Sequence, residues 1–409
     1  MGVFSLKNSL FIPVFVIIES MISWLKSLYH WIVAVAALFY FRFPARHLTV
    51  IGVTGTDGKT TTSTLIFEML KAAGYKTSVI TTVHAVIAGK SYDTGFHVTT
   101  PNAFFVQKYL REAVDHGDTH VILETTSHAL AQSRVYGIHF AVGVLTNVTH
   151  EHLDWHKTYD RYLMAKMKLL FASDVAVINK DEGELYARIA PLLRRHKMVT
   201  YGMRRQAVVT PETHPFETTL PGDFNQYNCL AAIAAASLVG VSKEVIKKAI
   251  KGFVGIPGRM QVMTTKPCTV IVDFAHTPNA IDKALKTARD MTSGRLIHVF
   301  GSAGLRDRTK RPYMGKFSAQ YADSIILTEE DYRTENVETI MDEIASGIPV
   351  YKDVHRFKNR MDAIRFALSD VKKDDTIIIT GKGHEKSLCR GVTEYPWSDQ
   401  EAVKKLLKK

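Results

Sequence analysis

Cysteine is scarce. The 409 residues contain 3, Cys229, Cys268 and Cys389, and none lies in a CxxC pair. This excludes a disulfide framework and a paired-thiolate zinc knuckle, and it reads as a reducing, cytosolic setting. Internal repeats and low-complexity tracts are missing too. With 46% hydrophobic and 22% charged residues, 25 Gly and 13 Pro, collagen-like and wholly disordered classes are excluded. What the first segment lacks is charge: from Asn8 to Phe41 only Glu19 and Lys26 carry any. The longest charge-free piece of that segment, Ser27 to Phe41, is shorter than the ~20 residues that cross a bilayer core, so a single spanning helix is not expected. No small-residue cleavage site follows, which argues against a secretory signal. Two readings of residues 8–41 stay open: peripheral attachment to a membrane, or a pair of helices packed on the rest of the chain or on a partner protein.

A chain of this length makes roughly two to four domains. Its formal charge of +12 suits nucleic acid, an anionic membrane surface or phosphorylated substrates. The basic residues are scattered with no aromatic stacking platform among them, so no nucleic acid is expected as a partner. From His47 onward short β-branched runs (LTVIGVT, HVILE, AVGVLTNV) alternate with helical patterns (Lys59 to Ala73, Tyr159 to Phe171). That alternation predicts βαβ units and a mainly parallel sheet with helices on both faces. A second series (TVIVDF, LIHVFG, SIILT, TIIITG with helices between) follows Gly258. The predicted division is an apolar segment 1–46, a central α/β domain 47–257 and a C-terminal α/β domain 258–409, with the boundary at Gly255-Ile-Pro-Gly-Arg259.

The densest chemistry sits in the run TGTDGKTTT. A strand, a glycine-rich turn and a helix start bring Gly55, Thr56, Asp57, Gly58, Lys59, Thr60 and Thr61 together. Glycines let the backbone curl so that its N–H groups face a polyphosphate, Lys59 adds a point charge, and Thr60 or Thr61 offers a hydroxyl to Mg²⁺. The first glycine of the general GxxxxGK[ST] pattern falls on Val53, so the loop is a variant. Glu124 ends the HVILE strand at the carboxyl edge, where open α/β sheets place their ligands. The next strand runs into His150, Glu151, His152, Asp154 and His156, a set of metal-capable groups, each of which could equally be structural.

With TGTDGKTTT, HVTTP, ETTSHAL, NVTHEHLDWH, the AK of Lys166, GDFNQYN, GIPGRMQ, DFAHTPNA, LRDRTKRP and GKGHE in this order, the sequence resembles the Mur ligases from about His47 to its end. Among them it is most similar to the UDP-N-acetylmuramoyl-tripeptide synthetases. The resemblance implies a central P-loop ATPase domain and a Rossmann-like C-terminal domain. It also implies ATP-dependent amide formation in peptidoglycan precursor synthesis: a peptide carboxylate becomes an acyl phosphate, an amine attacks it, and ADP and phosphate leave. ATP and Mg²⁺ are the implied cofactors. Catalysis falls to Lys59, Glu124, His152 and Lys166, with Thr60, Glu124, His152 and a carbamylated Lys166 serving the metal. Asn225, Asn228, Arg259, Asp273 and His276 match nucleotide-binding positions. Thr99, Thr100, Thr126, Gln132 and Arg134 match residues that grip the UDP-muramoyl-dipeptide.

Asp307, Lys310 and Arg311 resemble a further substrate motif. For the incoming amino acid, the family's DNPR falls on Glu330-Asp331-Tyr332-Arg333. Arg333 with Gly381 and Glu385 points to meso-diaminopimelate, whose distal carboxylate a guanidinium pairs with; L-lysine on a different or lipid-linked acceptor is the alternative. A membrane-associated scaffold without catalysis is the other alternative, and the presence of Lys59, Glu124, His152 and Lys166 speaks against it. The family begins with a domain that binds the uridine nucleotide, whereas here about 46 residues precede the phosphate loop. The expectation is therefore that the acceptor is held by the remaining domains or presented by a partner or a membrane. A monomer in the cytoplasm, at the inner face of the membrane, completes the reading.

Overall fold

The computed structural model describes residues 14–92, 100–149, 153–204, 206–264, 266, 268–369 and 371–408. A helix, α1 (Val14–Tyr40), leads into a short 3₁₀ turn, Pro44–His47, and then the first sheet. The apolar segment is thus one continuous helix over its described part, not a pair. Its last turns pack on α3 (Ala103–His116), with Ala34, Ala37 and Leu38 buried.

The first sheet has eight strands: β1 (Thr49–Thr54), β2 (Thr77–Ile80), β3 (Ala85–Ile87), β4 (Lys90–Tyr92), β5 (His120–Glu124), β6 (Phe140–Leu145), β7 (Ser173–Asn179) and β8 (Lys197–Tyr201). Their order is β4-β3-β2-β5-β1-β6-β7-β8. The pairings from β2 through β8 are parallel and the β3 and β4 edge is antiparallel. Successive strand residues face opposite ways. Ile51 and Val53 therefore join the core under α2 (Lys59–Ala72) and the helices Asp223–Leu238 and Lys243–Gly252. Val50, Val121 and Leu123 join the core under α3. Helices on both faces explain why these strands read as continuous apolar runs.

The second sheet is built from β9 (Gln261–Thr264), β10 (Thr269–Val272), β11 (Leu296–Phe300), β12 (Ser324–Thr328), β13 (Asp353–Phe357) and β14 (Thr376–Ile379), in the order β13-β12-β11-β14-β10-β9. Only β9 runs antiparallel. A hairpin, β15 (Ser387–Arg390) and β16 (Thr393–Pro396), lies apart from it. Two apolar layers flank the sheet, one under the helices Pro278–Asp290, Arg311–Tyr321 and Val337–Ala345 and the other under Arg360–Ser369 and Asp399–Leu407. The carboxyl ends of β1 and β5 and those of β10 and β14 open onto the same cleft, the usual ligand position in such sheets.

Candidate active site

Between β1 and α2 the chain turns through Gly55 at φ 154° and Gly58 at φ 80°. Both positions are also crowded. A Cβ on Gly55 would come within 1.8 Å of Thr146 Oγ1, and one on Gly58 within 2.2 Å of Asn228 Oδ1. Glycine is thus required twice over, by dihedral and by approach. The loop is pinned from outside. Asn147 Oδ1 accepts from the Asp57 N–H at 2.9 Å, and its amide donates to the Asp57 carbonyl. Thr146 Oγ1 donates to that same carbonyl at 2.6 Å. Lys59 folds back to donate from Nζ to the Thr56 carbonyl at 2.7 Å.

Glu124 is wholly buried at the tip of β5. Its Oε1 accepts from Thr60 Oγ1 at 3.1 Å and from Thr82 Oγ1 at 2.8 Å, and its Oε2 accepts from the Thr82 N–H at 2.9 Å. A carboxylate beside a hydroxyl at the edge of a phosphate loop is the donor set Mg²⁺ takes, since that ion keeps several waters and phosphate oxygens and needs only one or two protein oxygens. Among the described residues no group of three or more His, Cys, Asp and Glu converges. Thr60 and Glu124 would hold the ion. His152, together with His150 and Glu151, lies outside the described residues, as does Thr99.

Lys166 stands behind the loop rather than in the cleft. It is buried, donates from Nζ to the Gly55 carbonyl at 2.5 Å and packs over the Tyr162 ring at 4.4 Å. Tyr162 in turn shares a hydrogen bond of 2.9 Å with Thr56 Oγ1. The helix Tyr159–Phe171 thus reaches the phosphate loop by two side chains one turn apart.

One cavity of about 1080 Å³ gathers most of the remaining expected residues. Gly58, Lys59, Thr60 and Thr61 form one wall, Thr100, Thr126 and Arg134 a second, and Asn225 and Asn228 a third. From the other half of the chain come Arg259, Asp273, His276, Asp307, Lys310, Arg333, Gly381 and Glu385. Arg134 is pre-set by two bonds to Gln132 Oε1 and one of 2.5 Å to the Thr100 carbonyl, so Gln132 acts through it from outside the cavity. Asn228 donates to Asn225 Oδ1, and the pair buttresses Gly58.

Asp273 spends one oxygen on the Met260 N–H and the other on the Ala275 N–H. Burial pushes its carboxyl up, against the nearby Arg259 charge. Burial also pulls the Arg259 guanidinium down, and it lies over the Phe274 ring at 4.4 Å. Its Nε finds no partner among the described residues. Arg311 stands apart from the cavity. It is fully buried, pairs with Glu335 at 2.9 Å and Glu343 at 2.6 Å, and donates to the Ala303 carbonyl, so it braces the loop before it instead of meeting a ligand.

Several lining residues escaped the sequence reading. Asn279 donates to Asp57 Oδ2 at 2.8 Å and Lys283 Nζ comes within 3.9 Å of the same oxygen, tying the phosphate loop to the second half. At the far end Lys382 is buried between Asp331 Oδ1 at 2.8 Å and Glu385 Oε2 at 2.5 Å. Burial lifts the Glu330 carboxyl to about 7, with Lys310 and Lys382 acting in the opposite sense. Its Oε2 has no partner among the described residues and lies where a Cβ on Gly381 would come within 2.6 Å. The EDYR and GKGHE motifs held these residues, but nothing in their spacing joins them.

Residues 53–236 match the Mur ligase middle domain, and residues 258–383 match the Mur ligase glutamate ligase domain. A relative from Thermosynechococcus vestitus, a UDP-N-acetylmuramoyl-L-alanyl-D-glutamate--2,6-diaminopimelate ligase, is 38% identical, the match covering 91% of this chain and 79% of that protein. One of the same name from Aquifex aeolicus is also 38% identical, covering 90% and 79%. A solved structure of a ligase with that name superimposes with a TM-score of 0.61 at 30% identity, over 88% of this chain and 78% of the other. A folylpolyglutamate synthase from Mycobacterium tuberculosis, 16% identical with a TM-score of 0.67 over 92% and 95%, shares the fold.

Proposed function

The chain belongs to the Mur ligase family, and from that premise we propose that it adds meso-diaminopimelate to UDP-N-acetylmuramoyl-L-alanyl-D-glutamate, forming an amide and releasing ADP and phosphate. The observation that carries this reading is the single cavity with the phosphate loop at one end and Arg333, Gly381 and Glu385 at the other. Three substrates must meet there. ATP lies over the Gly55–Lys59 turn, where Lys59 and the N–H groups of Gly58 and Lys59, those of Thr56 and Asp57 being held by Asn147, are the groups offered to its phosphates. Thr60 and Glu124 would hold a Mg²⁺ ion, which would supply neutralising charge to those phosphates. Arg134, held rigid by Gln132, and Thr100 and Thr126 orient the D-glutamyl carboxylate toward the γ-phosphorus.

The carboxylate oxygen forms a bond to that phosphorus as the bond to the ADP oxygen breaks. The amine of the amino acid then attacks the acyl carbon, phosphate leaves with the bonding pair, and the amine loses its proton. Arg333 pairs with the distal carboxylate of the amino acid, while Glu330 and Glu385 face its ammonium groups. Lys166 acts on the loop through Gly55, and its carbamate form belongs to this same reading. Contact with a membrane or a partner protein falls to residues 8–41, at the cytoplasmic face, with the chain as a monomer.

The test is ATP-dependent product formation by the purified chain with the soluble UDP-linked acceptor and either meso-diaminopimelate or L-lysine. The expected product has the mass of the diaminopimelate tripeptide and none forms with L-lysine. A lysine product would overturn the amino-acid assignment. No product with either, in a chain that still binds ATP, would overturn the soluble acceptor.

A further inference from the structure

The N-terminal helix presents a face that the ligase reaction does not use. Its C-terminal turns are docked: Leu38 is seated so closely against Gly137 that a Cβ there would come within 2.4 Å of it, and the Trp31 ring meets the edge of Tyr136 at 6.2 Å. Upstream, every residue from Trp24 to Tyr29 is exposed. At about 100° per residue, Lys26, Ser27 and His30 fall on the same side as the buried Ala34 and Ala37. The opposite side carries Leu28, Ile32, Val35 and Phe39 at spacings of four, three and four, flanked by Trp24 and Trp31. Ile32 is 52% exposed, Trp24 64% and Phe39 68%. Over Trp24–Phe39 the helix therefore turns an exposed apolar stripe away from the body, while its docked side holds Lys26, Ser27 and His30 before the apolar contacts of Ala34, Ala37 and Leu38.

That stripe continues onto α3, where Phe104 meets Phe41 at 4.9 Å and Tyr40 at 5.7 Å, and where Phe105 is exposed. From α1 to His47 the chain carries Lys26, Arg42 and Arg46 against the single carboxylate Glu19, with Arg42 and Arg46 at the docked end and no carboxylate beside them in sequence. Bulky aromatic and aliphatic groups on one side, Trp and Tyr rings among them and an excess of cations at the docked end suit a helix lying in the headgroup zone of an anionic bilayer. Among the described residues no helix is long and apolar enough to cross a membrane, so the helix would lie along the surface. Resting on the membrane contact read above and committing it to one surface, we propose that α1, with Phe104 and Phe105, seats this chain on an anionic phospholipid surface.

The seat is next to the acceptor end of the cleft. The first turn of α3 follows Thr100, whose carbonyl holds Arg134, and Gly137, under Leu38, lies on the loop that carries Arg134. Lipid binding thus places the muramoyl-dipeptide end of the cavity close to the membrane.

The test is co-sedimentation of the full chain with phosphatidylcholine vesicles, with and without phosphatidylglycerol, together with tryptophan emission. Binding is expected only with the anionic lipid, weakened by salt, and accompanied by a blue shift from Trp24 and Trp31. Leu28→Glu with Ile32→Glu should weaken it at least tenfold, on the order expected for removing two buried aliphatic side chains, while leaving turnover of the soluble acceptor unchanged. Absence of binding to anionic vesicles by the wild-type chain would overturn the proposal, even if the double variant misfolds. So would self-association abolished by the same two substitutions, because the stripe would then be a contact between copies. Ligase turnover is read separately, so loss of either property leaves the other measurable.

Discussion

The two halves of the cleft are built by different means. On the phosphate-loop side the groups that line the cavity are mostly backbone, hydroxyls and amides with Asp57, Lys59, Glu124 and Arg134 among them, and the loop is held by short local geometry and by neutral partners such as Asn147 and Thr146. On the amino-acid side they are charges, and charges hold them: Lys382 between Asp331 and Glu385, Arg390 on Glu329 at 2.6 Å, and Arg360 on Asp399 at 2.8 Å with both side chains fully buried. A phosphate cradle needs shape and dipoles at fixed positions. A pocket for a zwitterion with two amines and two carboxylates needs discriminating charges, and those are affordable in a low-dielectric site only when paired.

Substitutions that remove a group acting on the transferring phosphate should have the largest effect. Lys59→Ala and Glu124→Ala are each expected to lower kcat on the order of 10²–10³-fold with the thermal midpoint nearly retained for Lys59→Ala; unaltered turnover in either would break the assignment of that half. Lys166→Ala should lose activity and recover part of it when a short carboxylic acid is added, as a carbamate role requires. Recovery by a short alkylamine instead would reassign the residue to its hydrogen bond with Gly55.

Glu330 offers a pH test of the charged half. Its folded value is raised from 4.5 to about 7, so the folded chain holds this proton more tightly than the unfolded one. The associated stability is fully present below pH 4.5 and is lost as pH rises through 7. Glu330→Gln should therefore gain thermal stability relative to wild type at pH 8 and show little difference at pH 4.5. Equal differences at the two values would contradict the burial argument. The smallest expected effect is at the seam. Asn279→Ala removes one hydrogen bond to Asp57, worth about 0.5–1.5 kcal/mol, and should raise the KM for ATP several-fold with kcat little changed.

The same contrast explains what could be read in advance. The phosphate loop was legible because a strand, two glycines and a helix start must be contiguous to make the turn, and the central strands were legible because burial on both faces leaves uninterrupted β-branched runs such as Thr376–Ile379. The antiparallel edge β3–β4 and the hairpin β15–β16 were not, being short and partly polar. Nor was the continuity of α1, for which a pair of helices stood open and which is a single helix over its described part. Asp57 meets Asn279 across 222 positions and Asp331 meets Lys382 across 51, and such pairings leave no local periodicity. Arg311 was misleading for a related reason: its motif is intact, but its guanidinium is spent on Glu335 and Glu343.

The division of labour itself is tested most directly by a single-turnover measurement of ADP formation with the UDP-linked acceptor in the absence of any amino acid, followed by addition of meso-diaminopimelate. Arg333→Ala is predicted to form ADP and acyl phosphate as the wild-type chain does and then to yield little tripeptide, whereas Lys59→Ala forms neither. Loss of the ADP burst in Arg333→Ala would contradict the account, because it would make the charged half part of phosphoryl transfer.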